Sequence, residues 1–461
     1  MPNARAGCYL LGAVLATGCA RSELKPALPS APPNALESPA PAAGAEAFPG
    51  AKEDLQSLVL RVLSGVSKLR ELRPKGSIRT KETTREEMRA WLKDQLASEV
   101  PAEVMAGNAA FLLALGLVPA DFDYAASIER LMTQQLAGFY DPKTKTMHLL
   151  SDLRAEDRKA TLDHELVHAL QDQHFDLERL TAWRSDATDE QSAVHGLAEG
   201  DATSAMLQGM LAPGQHAEDL PDEMLLAQAE SSLGNSPEID VPNIIKRSLL
   251  APYTDGLKLV HWARRRGGWA SVDELWRRMP ASSEQMLHPE KWLSDERPES
   301  VAVPVPTPGA PPQAVLYHDV LGEQSVRILL EEWLTRSEAS AGASDWAGDR
   351  LAVFRSAELW SLAWHLRTDD GEAATRTRVA LQRGLLASTP QANVALTAEQ
   401  VQRMVRQQGG CRERPDLGPI AVLGEGRSVV IVAGPYRKQN GRLVSASNCH
   451  SALAWARAVI Q

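Results

Sequence analysis

Cysteine is scarce in this 461-residue chain: Cys8, Cys19, Cys411 and Cys449 are the whole set. None stands in a CxxC or other cysteine-rich metal spacing, so the sequence carries no thiolate metal motif. Positive charge is not in excess either. Lys and Arg number 49 against 59 Asp and Glu, a net charge of -10, and Arg264-Arg265-Arg266 is a short cluster with no basic stripe around it. That balance argues against nucleic acid as a partner. Long apolar runs are missing as well; Phe111 to Val118 is far too short to cross a bilayer and reads as core. There is no internal repeat. What remains is an ordinary globular balance, 44% hydrophobic and 23% charged, in a chain long enough for two domains or one elaborated one.

The first fifty residues read as targeting and tether. Arg5 precedes an apolar run from Cys8 to Ala16, which leads into Ala16-Thr17-Gly18-Cys19. The run is too short for a membrane span and suits a signal peptide of residues 1–18. Small residues before a cysteine resemble a bacterial lipobox, with Ala16 where such boxes usually carry leucine. The expectation is an acylated Cys19, a Pro/Ala-rich linker over residues 19–50 and a lipid bilayer as partner. The protein would then face the periplasm or the exterior from the cell envelope. Ordinary signal cleavage, giving a secreted soluble protein, is the alternative. Cys411 and Cys449 are then an even pair in an oxidising compartment, expected to form one disulfide.

The most informative segment is His164-Glu165-Leu166-Val167-His168. On a helix, residues four apart share a face, so both imidazoles can converge on one metal ion. Imidazole suits Zn²⁺, a tetrahedral ion whose catalytic sites keep one position for water. Glu165, about 100° round the helix, can take the proton of that water as general base. Leu162, Leu166 and Ala169 form an apolar stripe roughly opposite the histidines, as expected of a helix with its back in the core.

Two donors compete for the place of third ligand. His174 follows His168 by six residues, the metzincin spacing, but that motif turns the chain with a glycine where this sequence has Gln171. Gln171 favours continued helix, which points His174 away. Glu199, in His195-Gly196-Leu197-Ala198-Glu199-Gly200-Asp201-Ala202-Thr203, offers the other solution, His₂Glu plus water from a second helix; His195, one turn earlier, is a lesser substitute. Glu199 is therefore favoured, with Gly200 and Ala202 expected to let its helix approach the metal helix. Asp201 or Thr203 could hold the free ring nitrogen of a ligand histidine. Downstream, His288 or Tyr253 could donate to a developing oxyanion, although a structural histidine is the commoner case.

The run from Gly138-Phe139-Tyr140-Asp141-Pro142 through HELVHALQDQHFDL to AEGDAT resembles a bacterial family of gluzincin-type zinc metallopeptidases. The later blocks Ser283 to Lys291 and Asp345 to Arg350 are similar to that family's downstream blocks. The resemblance covers roughly residues 100–380. It implies a zinc-dependent hydrolase of peptide or protein substrates, with His164, His168 and Glu199 as ligands to one Zn²⁺ and Glu165 as base. It implies no particular substrate.

Periodicity predicts helices over residues 52–72, 84–98, 102–115, 123–136, 158–176, 188–211, 242–251, 256–265, 271–278, 322–335, 356–365, 371–386 and 450–460. Two short strands flank Asp141-Pro142-Lys143-Thr144, and buried strands are expected at 420–423 and 429–432, with a turn at Asn440-Gly441. The fold class expected is α+β, predominantly helical. A zincin-like domain would span residues 51–303, with a small sheet beside the metal helix. A proline-rich joint at 304–313 and a C-terminal α+β region at 314–461 would follow. Two rivals remain: a metzincin-like hydrolase using His174, and an inactive lipid-anchored binding or assembly protein on a zincin-like fold.

Overall fold

The computed structural model describes residues 54–182, 184–224, 241–309, 313–356, 358–387, 397–439 and 442–461. The expected signal, Cys19 and the linker lie outside the described residues, as do 310–312 of the proline-rich joint and the Asn440-Gly441 turn. The protein is mixed α+β with helix predominant.

Helix α1 (Leu55–Arg70) starts where the Asp54 side chain accepts from the Ser57 amide, and buries Val59, Val62, Leu63 and Val66 at the spacing its sequence predicts. Strand β1 (Arg79–Thr83) leads to α2 (Arg85–Glu99), begun by a Thr84/Glu87 capping box. Helices α3 (Ala102–Leu115) and α4 (Tyr124–Gln135) follow. The expected hairpin is β2 (Gly138–Asp141) and β3 (Thr146–Leu150). β3 is central in a three-stranded sheet, parallel to β1 and antiparallel to β2, which leaves β2 as an outer strand.

Helix α5 (Ala155–Phe175) lies across β2 and is buried without a break from Thr161 to Asp172. Gly138 permits the crossing, since a Cβ there would come within 2.8 Å of the His148 carbonyl and 2.9 Å of the Thr161 side chain. After the short α6 (Leu177–Leu180), α7 (Thr188–Met210) packs on α5 and on α8 (Asn243–Arg277). The helices expected over 242–251 and 256–265 are one, which runs through Pro252, whereas Gly267 and Gly268, whose backbone angles are not helical, break α8 before the stretch expected over 271–278.

Short helices α9 (Ser283–Leu287) and α10 (Pro289–Leu293) lead into the C-terminal part. There β4 (Ala314–Asp319), β5 (Trp346–Arg355), β6 (Leu359–Thr368), β7 (Gly409–Arg412), β8 (Ile420–Glu425), β9 (Ser428–Gln439) and β10 (Arg442–Ser445) form an antiparallel sheet. Its order is β4-β5-β6-β9-β8-β7, with β10 paired to β9. Helices α11 (Gly322–Leu330), α12 (Arg336–Ala343), α13 (Gly371–Leu385), α14 (Ala398–Arg406) and α15 (Cys449–Ile460) surround it. Side chains alternate along β5: Leu351 and Val353 join the main core, Ala352 and Phe354 the smaller core under α15. The main core is continuous from Val59 in α1 to Tyr436 in β9.

The helix expected over 356–365 is wrong: that stretch enters β6. β6 lies between β5 and β9 and is covered on both faces, so Leu362, Ala363 and Trp364 are all buried. Two-sided burial removes the alternation that marks a strand and leaves an apolar run rich in Leu and Ala. Cys411 of β7 and Cys449 of α15 form the expected disulfide. Among the described residues, no helix is long and apolar enough to cross a membrane.

Candidate metal centre

His164 and His168, one turn apart on α5, bring their rings edge to face at 4.8 Å between centroids. Their Nε2 atoms lie 3.1 Å apart. Glu199 enters from α7 and sets Oε2 3.0 Å from His164 Nε2 and 3.6 Å from His168 Nε2. The three are buried, and they are a set whose ligand atoms all lie close enough to share one ion. Tetrahedral zinc, with bonds of about 2.0–2.2 Å, spaces its ligand atoms roughly 3.3–3.5 Å apart. The observed triangle brackets that value, so the donor set fits zinc in number, type and spacing.

Electrostatics favours a cation in this triangle. Burial alone would lower the pKa of His168, but the negative charge of Glu199, 3.6 Å away, outweighs it and lifts it to about 9. Burial, the larger effect on His164, keeps that ring below its ordinary value. Burial also opposes ionisation of Glu199, yet His168, His164 and His195 together hold its carboxyl well below the usual range. The metal-free triad thus carries its one positive charge on His168, where a metal ion would supply it.

Glu165 is fully buried beside this triad, and its Oε2 accepts from the Tyr140 amide of β2 at 3.0 Å. Tyr140 is further tied to α5 through its hydroxyl, which donates to Asp172 at 2.8 Å. Tyr253 of α8 lies near the triad, its ring 6.0 Å from that of His164, and is half-buried. Expected site residues from three elements therefore meet here.

The remaining candidates lie outside the triad, and some need correction. His174 turns to the Arg73 carbonyl, Nε2 at 2.8 Å, as predicted for a helix that continues past Gln171. His195 is placed behind the triad, with Nε2 3.2 Å from Glu199 Oε1, so it steadies the carboxylate's second oxygen. Asp201 holds no histidine. It accepts from Arg70 Nε at 2.5 Å and Trp276 Nε1 at 2.8 Å, because it faces α1 and α8 and turns away from α5. Thr203 Oγ1 reaches no polar partner among the described residues. Gly200 serves a different approach: with Gly196 it meets Gly256 of α8 backbone to backbone, and a Cβ on Gly256 would fall 1.8 Å from the Gly196 carbonyl oxygen. His288 joins an acidic pair, Nε2 2.9 Å from Glu323 Oε1 and Nδ1 3.7 Å from Glu290. That pairing gives it a structural task and no visible link to the triad.

The sequence reading missed two contributors, the Tyr140 amide and the Gln171 side chain. A backbone donor leaves no trace in residue type. Gln171 did leave one, being three residues beyond His168 and so on its face of the helix.

A family model described as Domain of unknown function (DUF8575) matches residues 313–443, which takes in the C-terminal sheet and leaves the triad outside. No curated protein and no solved structure matches the chain.

Proposed function

We propose that this chain is a zinc-dependent peptidase of gluzincin type, with a zincin-like core around α5 and the β1-β3-β2 sheet. The observation that carries the reading is the triangle of His164, His168 and Glu199 donor atoms with Glu165 at its side. His164 Nε2, His168 Nε2 and Glu199 Oε2 would hold one zinc ion. Zinc, when bound, supplies Lewis acidity to a substrate carbonyl and to a water. Glu165 takes the proton from the attacking water and passes it to the leaving amine. The Tyr140 amide holds the carboxylate in place for that transfer. Tyr253, whose ring lies 6.0 Å from that of His164, would donate to oxygen as the carbonyl becomes tetrahedral.

The peptide would bind along β2. In an antiparallel ladder the amide and carbonyl of one residue point to the same side. The Tyr140 amide points away from β3 to Glu165, so the Tyr140 carbonyl also points away from β3. Gly138, Phe139 and Tyr140 are buried, so an extended chain would add there only once that edge is uncovered.

We place the protein in the cell envelope on an acylated Cys19; a secreted soluble form is the alternative. The Cys411–Cys449 disulfide supports an oxidising compartment. A second reading, a zinc-holding binding or assembly protein without turnover, is favoured by one observation: the triad and Glu165 are all at most 1% exposed. Purified protein assayed for zinc by elemental analysis, and for hydrolysis of a random peptide library with and without chelator, decides between them. Chelator-sensitive cleavage establishes the peptidase. Zinc at one per chain without cleavage establishes the second reading, and no zinc overturns both.

A further inference from the structure

Gln171 is fully buried on α5, and both ends of its amide are used. Its Oε1 lies 2.8 Å from His168 Nδ1, and its Nε2 donates to the Ala198 carbonyl at 3.0 Å. Ala198 precedes Glu199 on α7, so one side chain touches a ligand histidine of α5 and the backbone beside the ligand carboxylate of α7.

The orientation of this amide follows from its partners. A carbonyl oxygen only accepts, so the NH₂ end must face Ala198 and the oxygen must face His168. An amide oxygen also only accepts, so His168 must carry hydrogen on Nδ1. With that hydrogen in place, the neutral ring presents its Nε2 lone pair toward His164 Nε2 and Glu199 Oε2. His164 has no such device, since its Nδ1 is buried without a hydrogen-bond partner among the described residues.

We propose that Gln171 is a positioning residue that fixes the tautomer of His168 and presents its Nε2 to a metal ion. The proposal rests on the metal reading above and adds a residue to it. Outer partners of ligand histidines raise metal affinity by holding ring and tautomer, and their loss typically weakens binding about 10- to 100-fold. Gln171 also explains why two helices are needed in fixed register: the contact that orients His168 is anchored next to Glu199.

The test measures zinc affinity by competition with a chromogenic chelator, together with the visible spectrum of the cobalt-substituted protein. Gln171→Leu keeps the volume and removes both bonds; Gln171→Glu keeps an acceptor for His168 but turns an oxygen to the Ala198 carbonyl. Gln171→Leu should bind zinc about 10- to 100-fold more weakly than wild type, with an altered cobalt spectrum. Gln171→Glu should stay within a few-fold of wild type in zinc affinity and melt at a lower temperature when metal-free. A residue that merely clamped α5 to α7 would lower affinity equally in both variants, and that result overturns the proposal. So does wild-type affinity in Gln171→Leu. If Gln171→Leu does not fold, Gln171→Glu alone decides, because weak binding in it contradicts the acceptor role. Wild-type protein that takes up no metal overturns the metal reading itself and this proposal with it.

Discussion

The Tyr140 amide and the Glu165 carboxylate are joined at 3.0 Å, a backbone donor on an outer strand holding the one acidic side chain between the two histidines. The bond explains how a carboxylate with no exposed surface keeps a defined direction, and it makes the base separable from the ligands. In Glu165→Gln the amide oxygen can still accept from Tyr140, so fold and metal content should match wild type. Turnover should fall by about 10²–10⁴-fold, the usual worth of a general base. Peptide hydrolysis and zinc content measured on the same sample check this. Wild-type turnover in Glu165→Gln would remove Glu165 from the mechanism.

The ligand set is tested by two alanines. Glu199→Ala removes one of three donors and leaves His168 without the charge that attracts a cation. Zinc remaining after dialysis should drop from about one per chain to a small fraction of that. His174→Ala removes only a hydrogen bond to the Arg73 carbonyl and should leave zinc content unchanged. The reverse pattern would move the site to the metzincin arrangement.

The two histidines were legible because their information is local, and Glu199, 35 residues from His164, was legible only through the gluzincin pattern. HExxH fixes two donors on one helical face, and the absence of glycine at Gln171 sends His174 elsewhere. The neighbours of Asp201 were not legible, since Arg70 is 131 residues distant and nothing near Asp201 in sequence announces it. The same holds for β6, whose two buried faces erase the period of a strand, and for β1, which is placed by parallel pairing with β3 across 60-odd residues. The break expected between residues 251 and 256 falls at Pro252, a residue type that usually ends helices. Here the chain continues, packed by Gly256 against α7.

That glycine contact gives a prediction about stability. A methyl group on Gly256 cannot fit 1.8 Å from the Gly196 oxygen, so α7 and α8 must separate in Gly256→Ala. Overpacking of this kind costs about 1–3 kcal/mol. Moving α7 also moves Glu199, so zinc affinity should fall along with the urea midpoint. Gly65→Ala serves as control: a Cβ there meets nothing within 4 Å, and alanine in an exposed helical position should stabilise slightly. Equal midpoints for the two variants would show that α7 and α8 yield without strain.

Stability also has a redox component. The Cys411–Cys449 disulfide closes a sequence separation of 38 residues, for which chain entropy gives about 4 kcal/mol. Cys411→Ser with Cys449→Ser should unfold at a clearly lower urea concentration than oxidised wild type, and a reductant should shift wild type alone. The triad lies on α5 and α7, away from this pair, so zinc affinity at low urea should be the same in both proteins.

The last prediction concerns pH. In the metal-free protein His168 holds its proton up to about pH 9, while His164 is kept neutral by burial and Glu199 ionised by its histidine neighbours. Zinc requires the neutral imidazole, so uptake below pH 9 must release a proton. Of the three ligands only His168 has one to lose near neutrality, so the number released is about one. The logarithm of zinc affinity should therefore climb by about one for each pH unit between pH 6.5 and 8, then level off above the pKa of His168. Calorimetric titration of zinc in buffers of different ionisation enthalpy counts the proton directly. A count near zero at pH 7 would mean that His168 is already neutral and that the charge of Glu199, 3.6 Å away, does not act on it as proposed. In Glu199→Gln the charge that raises His168 is gone, and the proton count at pH 7 should fall toward zero.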